Sequence, residues 1–497
     1  MFRKHLIFLP VVISVVLSAG CSSTAAQQAC PAVAGKLSNL DIKNLPADAV
    51  PYLARYSLPT TDRTAFCAYL ERIQHEHEVK VEGGLLDMMG DYFLTTQKIE
   101  TGYYFSYKIG SPGREIPKVI LDRASSESEQ ADLLLKAIDS DPDASRKEVF
   151  NDRIKELSPE NRKDGALKLI QLLFKKSWVF DPTAQQYLGS ENYHDDSYGF
   201  VDRGLRTTSY SHMGTTLDLL FNGSDLDSVK KLLPEKAKRV LIIGPGLDFS
   251  HPELGEEIPQ QSYEPFAILD ILLKSKRSDF TNLQIDLFDI SPRVVRHWDG
   301  LLQSADRGNT YTLNVVSGAA MLRGGNQESS EITTAYVNQF GDSLPGVTFT
   351  VSTKASRRPV PRTLDSYSVS VRSLNIAPAV VKKFHPFQGD LTTTDIAKIA
   401  VENGGKYDLI FCFNTMEYLN ESERALAGIN IREALANNGA FITDNRFETD
   451  SGERPQQPKQ NTSAVKPIFD PSFLNMAADA ITATGRHVIV YRKPNAG

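Results

Sequence analysis

Apolar and polar positions fall into two regimes along the chain. Up to about residue 228 the apolar residues recur at helical spacing, over 51–70, 85–99, 125–137, 146–157, 164–174 and 215–221. The segment 102–109 has the alternation of a strand, and Asp141-Pro142-Asp143 supplies turn and cap chemistry. From about Val229 the pattern changes to short continuous apolar runs separated by amphipathic helices. Lys238-Arg239-Val240-Leu241-Ile242-Ile243 stops at Gly244-Pro245-Gly246, as a strand buried on both faces does. Helices are predicted at 263–274, 292–302, 422–435 and 471–484. Strands are predicted at 283–288, 407–413, 439–444 and 487–492. Such alternation specifies an α/β sheet with helices on both faces. Between about 309 and 384 it breaks down into strand-like runs at 312–317, 348–352 and 367–374, which read as an insertion. The stretches 187–208 and 451–465 read as loops, and Arg357-Arg358-Pro359 has no clear place.

Composition adds exclusions. The chain has 497 residues, 41% hydrophobic and 23% charged, with a net charge of -6. That length accommodates several domains. No long basic run is present, so no nucleic-acid partner is expected. Past residue 25 no apolar run has transmembrane length.

The first 21 residues have another logic. Arg3 and Lys4 precede a short apolar stretch, and small residues lead into a cysteine, the layout of a secretory signal. Leu17-Ser18-Ala19-Gly20-Cys21 resembles the bacterial lipobox. The resemblance implies cleavage before Cys21, lipidation of Cys21 and membrane attachment through acyl chains. Ser22 after the cysteine implies outer-membrane sorting, facing the periplasm. The expected organisation is a signal peptide (1–20), a tether (21–29), a mostly helical N-terminal region (30–228) and an α/β domain (229–497) with its insertion near 309–384. Of the remaining cysteines, Cys30 and Cys67 are either bridged or free, and Cys412 reads as buried. No zinc-ligand spacing occurs.

In open α/β sheets a ligand binds beyond the carboxyl ends of the strands. Gly244-Pro245-Gly246-Leu247-Asp248-Phe249 lacks the third glycine of a dinucleotide fingerprint, and the next helix is far away. A cofactor without phosphates suits the loop better. Asp289 ends the second strand, where it meets ribose hydroxyls. Gly389-Asp390-Leu391 brings a second acid toward a base. The strand at 407–413 delivers Asn414, Glu417 and Tyr418 to the rim.

Together VLIIGPG, LFDISPRVV, GDL and YDLIFCFNTMEYL, with Asn437-Asn438-Gly439-Ala440 after them, resemble the ordered motifs of class I S-adenosylmethionine-dependent methyltransferases, the last part the chemotaxis-receptor subgroup. The resemblance covers roughly residues 230–497. It implies a Rossmann-like doubly wound sheet with an antiparallel last strand, S-adenosylmethionine as cofactor and an unidentified methyl acceptor. It implies cofactor contacts at Gly244, Gly246, Asp289, Asp390 and Asn414, with Glu417 and Tyr418 as catalytic candidates beside the reacting methyl. Two features depart from the family: the first loop ends in Leu-Asp, and the gap from Gly246 to Asp289 is roughly twice the spacing of about 20 in a compact dinucleotide unit. An extra loop at 247–262 accounts for it.

Plainer roles stand beside these. Asp289 suits a helix cap before Ser291-Pro292, the glycines a tight turn, Glu417 a rim carboxylate and Tyr418 a packing aromatic. His75-Glu76-His77 reads as a solvated helix face, and His194-Asp195-Asp196 as a polar loop. An envelope location also separates the protein from cytoplasmic S-adenosylmethionine. A lipoprotein using the fold as a non-catalytic binding or scaffold module is therefore the alternative, as is a partner-binding role for the helical region.

Overall fold

The computed structural model describes residues 37–90, 126–140, 144–176, 179–181, 186–188, 208–223, 226–247, 261–317, 327–355, 368–444, 474–481 and 487–493. Cys21, Cys30, the strand expected at 102–109, His194-Asp195-Asp196, Arg357-Arg358-Pro359 and most of the 247–262 loop lie outside these residues. Cys67 is disulfide-bonded.

The N-terminal part is helical: α1 (Ala49–Arg55), α2 (Arg63–Gly90), α3 (Glu127–Asp139), α4 (Ala144–Leu157) and α5 (Arg162–Lys176). A short hairpin, β1 (Val179–Asp181) and β2 (Gln186–Leu188), precedes α6 (Thr208–Asn222) and α7 (Asp227–Lys230). The single helix expected over 51–70 is two. Ser57 takes a positive φ of 61°, and the Asp62 carboxylate then accepts the Thr64 and Ala65 N–H groups to start α2. An apolar period alone does not show such a break.

The α/β part runs β3 (Arg239–Ile243), α8 (Glu264–Lys274), β4 (Gln284–Asp289), α9 (Pro292–Asp306), β5 (Tyr311–Ser317), α10 (Gln327–Gln339), β6 (Thr348–Ala355), β7 (Ser368–Ile376), α11 (Pro378–Val381), β8 (Phe384–Gln388), α12 (Ile396–Glu402), β9 (Tyr407–Cys412), α13 (Glu421–Ala434), β10 (Leu435–Thr443), β11 (Asn475–Ile481) and β12 (His487–Arg492). The main sheet has seven strands in the order β11-β12-β10-β9-β3-β4-β8. From β8 to β10 neighbouring strands are parallel, with Ile242 opposite both Leu287 and Phe411. The last strand, β12, runs antiparallel between β10 and β11. The fold is thus Rossmann-like, with a switch point between β3 and β9 and a reversed final strand.

Alternate side chains explain the continuous apolar runs. Val240 and Ile242 of β3 enter one core with residues of α3 to α6, α8 and α9, whereas Leu241 and Ile243 enter a second core with α1, α2, α12 and α13. N-terminal helices therefore pack on both faces of the sheet. In the 309–384 segment β5, β7 and β6 form a separate antiparallel sheet, with α10 alongside. The helix α10 and the strand β8 have no clear apolar signal: α10 is mostly polar, and Pro386 sits inside β8.

The expected helix at 471–484 is wrong where it is described. Asn475–Ile481 is a strand pairing with β12, Met476 opposite Tyr491 and Ala480 opposite Val488. The alanines favour a helix, but an unpaired sheet edge and β12 override that local preference.

Candidate functional site

Where β3 ends, Gly244 and Gly246 adopt positive φ angles of 65° and 59°. The Gly244 N–H donates to the Phe288 carbonyl at 2.8 Å, so the loop leaves the sheet tied to β4. A Cβ on Gly244 would sit 2.3 Å from Thr415 Oγ1, in the turn after β9. Glycine is needed there both for conformation and for this close approach.

Asp289, the last residue of β4, is buried. Its Oδ2 accepts the Gly246 N–H at 3.2 Å and its Oδ1 accepts the Ser291 N–H at 2.8 Å. The carboxylate thus both steadies the start of α9 and fixes the glycine loop. The Gly389 N–H donates to the Asp289 carbonyl at 3.0 Å, which joins the ends of β4 and β8.

At the end of β9, Asn414 has a φ of 48° and donates its N–H to both oxygens of Asp444, at 3.0 and 3.2 Å. A 3-10 turn, Met416–Tyr418, follows. Glu417 lies in this turn, but its side chain is outside the described part. Gly244, Gly246, Asp289, Asp390, Asn414 and Tyr418 all line one cavity, together with His77 and Leu391. The cavity holds about 660 Å³ of empty space, part of it open to solvent. The loop after β3 and the ends of β4, β8 and β9 therefore converge on one cavity.

The histidine expected on a solvated face is the main correction. His75 is exposed, but His77 is 1% exposed and forms part of the cavity wall. Its Nδ1 is 2.6 Å from Asp390 Oδ2 and its Nε2 is 3.3 Å from Glu423 Oε1. Burial pulls the imidazole down, but the bonds to Asp390 and Glu423 outweigh it and push it up to about 9. Burial pushes both carboxylates up in turn, but His77, together with Thr392 on Asp390 and the Asn420 N–H on Glu423, more than reverses that, so each lies below its ordinary value. As a cation the ring donates from both nitrogens.

The spacing contained the signal: Phe66, Leu70, Ile73 and His77 continue one helical stripe, and the first three are buried in the second core. Glu423 was legible in another role. Asn420 and Glu423 form a capping box at the start of α13, and Glu423 Oε2 accepts the Asn420 N–H while Oε1 faces His77.

These contacts also redefine Asp390. Its Oδ1 accepts the Thr392 N–H at 2.8 Å and the Thr392 hydroxyl at 2.6 Å, while Oδ2 is taken by His77. The residue lines the cavity, but its carboxylate is largely spent inside the protein. No cluster of His, Cys, Asp or Glu that could hold a metal occurs among the described residues. No described helix is long and apolar enough to cross a membrane.

No protein-family model matches the chain, and no curated protein matches it. Among solved structures, an O-methyltransferase family protein from Burkholderia thailandensis is similar over 76% of this chain and 98% of its own, at 9% identity and a TM-score of 0.24. A likeness at that level carries no argument, so the fold assignment rests on strand order and direction.

Proposed function

We propose that the cavity binds S-adenosylmethionine and that the protein transfers its methyl group to an acceptor. The observation that carries this reading is the Asp289–Gly246 contact. It places a carboxylate at the end of the second strand of the sheet against a glycine loop at the end of the first, beside the switch point. The residues fit an adenosyl group. A carboxylate is an acceptor that suits ribose hydroxyls, and Asp289 lines the cavity beside the glycine loop. Gly244 and Gly246 line the same cavity and present backbone to it. Asp390 fits less well, because its oxygens are already engaged.

When bound, S-adenosylmethionine would supply an electrophilic methyl on its sulfonium. The protein's part is alignment and exclusion of water. Asp289 would hold the sugar, and the Gly244–Gly246 backbone would border the amino-acid end. Asn414, with its backbone fixed by Asp444, and Tyr418 border the end where an acceptor enters. Glu417 in the same turn is the candidate base for an acceptor that carries a proton.

Calorimetry on the full chain tests this. S-adenosylhomocysteine binding is expected, and Asp289→Ala should weaken it at least roughly 10-fold, the scale of hydrogen bonds to a charged group. No binding at millimolar ligand would overturn the reading. Binding without label transfer from methyl-labelled S-adenosylmethionine to envelope extracts would assign the fold a binding or scaffold role. The lipobox-like segment supports a further part of the proposal, attachment to the membrane through lipidated Cys21 on the periplasmic side. Mass spectrometry of the mature N-terminus checks it.

A further inference from the structure

Resting on the adenosyl reading of the cavity, we infer that Gln74, on α2 rather than on the sheet, reads the base edge of the bound nucleoside in place of Asp390. The argument starts from the spent carboxylate. A base amine approaching Asp390 would compete with His77 and with both Thr392 donors. Breaking the His77 contact would leave a buried imidazolium and a buried carboxylate short of partners, which is costly.

Gln74 offers what Asp390 does not. It lies one helical turn before His77, on the same face of α2, and is 8% exposed. Its Oε1 is buried and has no hydrogen-bond partner among the described residues. Leaving such an acceptor unmet is unfavourable, and native structures rarely do so without a ligand or water to fill the role. A side-chain amide also pairs its acceptor with donors, so it matches a base edge carrying an amine next to a ring nitrogen.

The placement agrees. Gln74 lines a second cavity of about 810 Å³, part of it open to solvent. This cavity shares Ile290, Gly389 and Asp390 with the first. The two spaces therefore lie side by side along one common wall, Ile290, Gly389 and Asp390, at the ends of β4 and β8. A ribose at Asp289 directs its base along that wall, past Ile290 and Gly389. Gly389 itself must stay small, because a Cβ there would lie 2.6 Å from the Phe288 ring.

The test compares S-adenosylhomocysteine with its purine analogue lacking the 6-amino group, by calorimetry on the full chain. The wild type should prefer the amino ligand by roughly 10-fold. Gln74→Leu should bring that ratio close to one, whereas Gln74→Glu, which keeps the acceptor, should retain a preference. The ratio does not depend on how much of the sample is folded. An unchanged ratio in Gln74→Leu, or a wild-type ratio near one, overturns the inference while leaving the adenosyl site standing. A wild type that binds neither ligand overturns the adenosyl reading together with the inference.

Discussion

His77 and Asp390 are 313 positions apart in sequence, yet His77 Nδ1 and Asp390 Oδ2 are 2.6 Å apart inside the protein. The contact ties α2 to the loop after β8, and through Glu423 to the start of α13. Removing the imidazole would leave two buried carboxylates facing each other. His77→Ala should therefore destabilise the full chain by about 3–5 kcal/mol, as for a broken buried ion pair. Urea denaturation measures this, and a loss under about 1 kcal/mol would show that the cluster relaxes into water.

The same cluster makes a pH prediction. In the unfolded chain His77 has its ordinary value near 6.5, and in the folded chain it is pushed up to about 9. A raised histidine contributes its full stabilisation below the unfolded value and loses it as pH rises through the folded one. The stability difference between wild type and His77→Gln should thus shrink from about pH 6.5 to about pH 9, by about 3 kcal/mol at most. A difference that stays flat across that window would mean the ring is neutral when folded.

Gly244 allows two costs to be separated. Gly244→Ala must hold a side chain at a φ of 65° and place a Cβ 2.3 Å from Thr415 Oγ1. The backbone part should cost about 1–2 kcal/mol and the crowding about 1–3 kcal/mol. Adding Thr415→Ala removes the hydroxyl, so the double variant should recover much of the crowding cost and none of the backbone cost. A double-mutant cycle on unfolding free energies reads the coupling. Strict additivity would show that the loop shifts instead.

Much of the sheet was legible because its central strands are buried on both faces. Leu409 and Phe411 of β9 enter one core while Ile410 and Cys412 enter the other, so no polar residue interrupts 409–413. The loop glycines, Asp289 and the strand ends followed from that register. Strands β8 and β11 were not legible, since Pro386 and the helix-favouring alanines of 475–481 give strand-poor local signals and are held by pairing with β4 and β12. His77 was missed for a different reason. A polar residue in a buried stripe looks like the end of that stripe until its partners, here Asp390 and Glu423, hundreds of positions away, are known.

A second buried polar cluster sits at the opposite ends of the same strands. Asp286 is fully buried, and its Oδ2 accepts from Arg239 Nη2 at 2.8 Å and from the Tyr407 hydroxyl at 2.7 Å. Burial, reinforced by the Asp286 charge, pushes the Tyr407 hydroxyl well above its ordinary value, so it stays a donor. Arg239→Met leaves the carboxylate with too few partners and should cost about 3–5 kcal/mol. Tyr407→Phe removes one neutral donor and should cost about 1–2 kcal/mol. Arg239→Met combined with Asp286→Leu should cost clearly less than the two single changes added, because the unpaired charge disappears. Arg239 begins β3 and Gly244 follows its end, so about 13–16 Å of strand separates this cluster from the glycine loop. All three variants should therefore bind S-adenosylhomocysteine with wild-type affinity wherever they remain folded. A drop of more than about 10-fold in a folded Tyr407→Phe sample would mean the cluster sets the position of the strand ends, and with it the shape of the site.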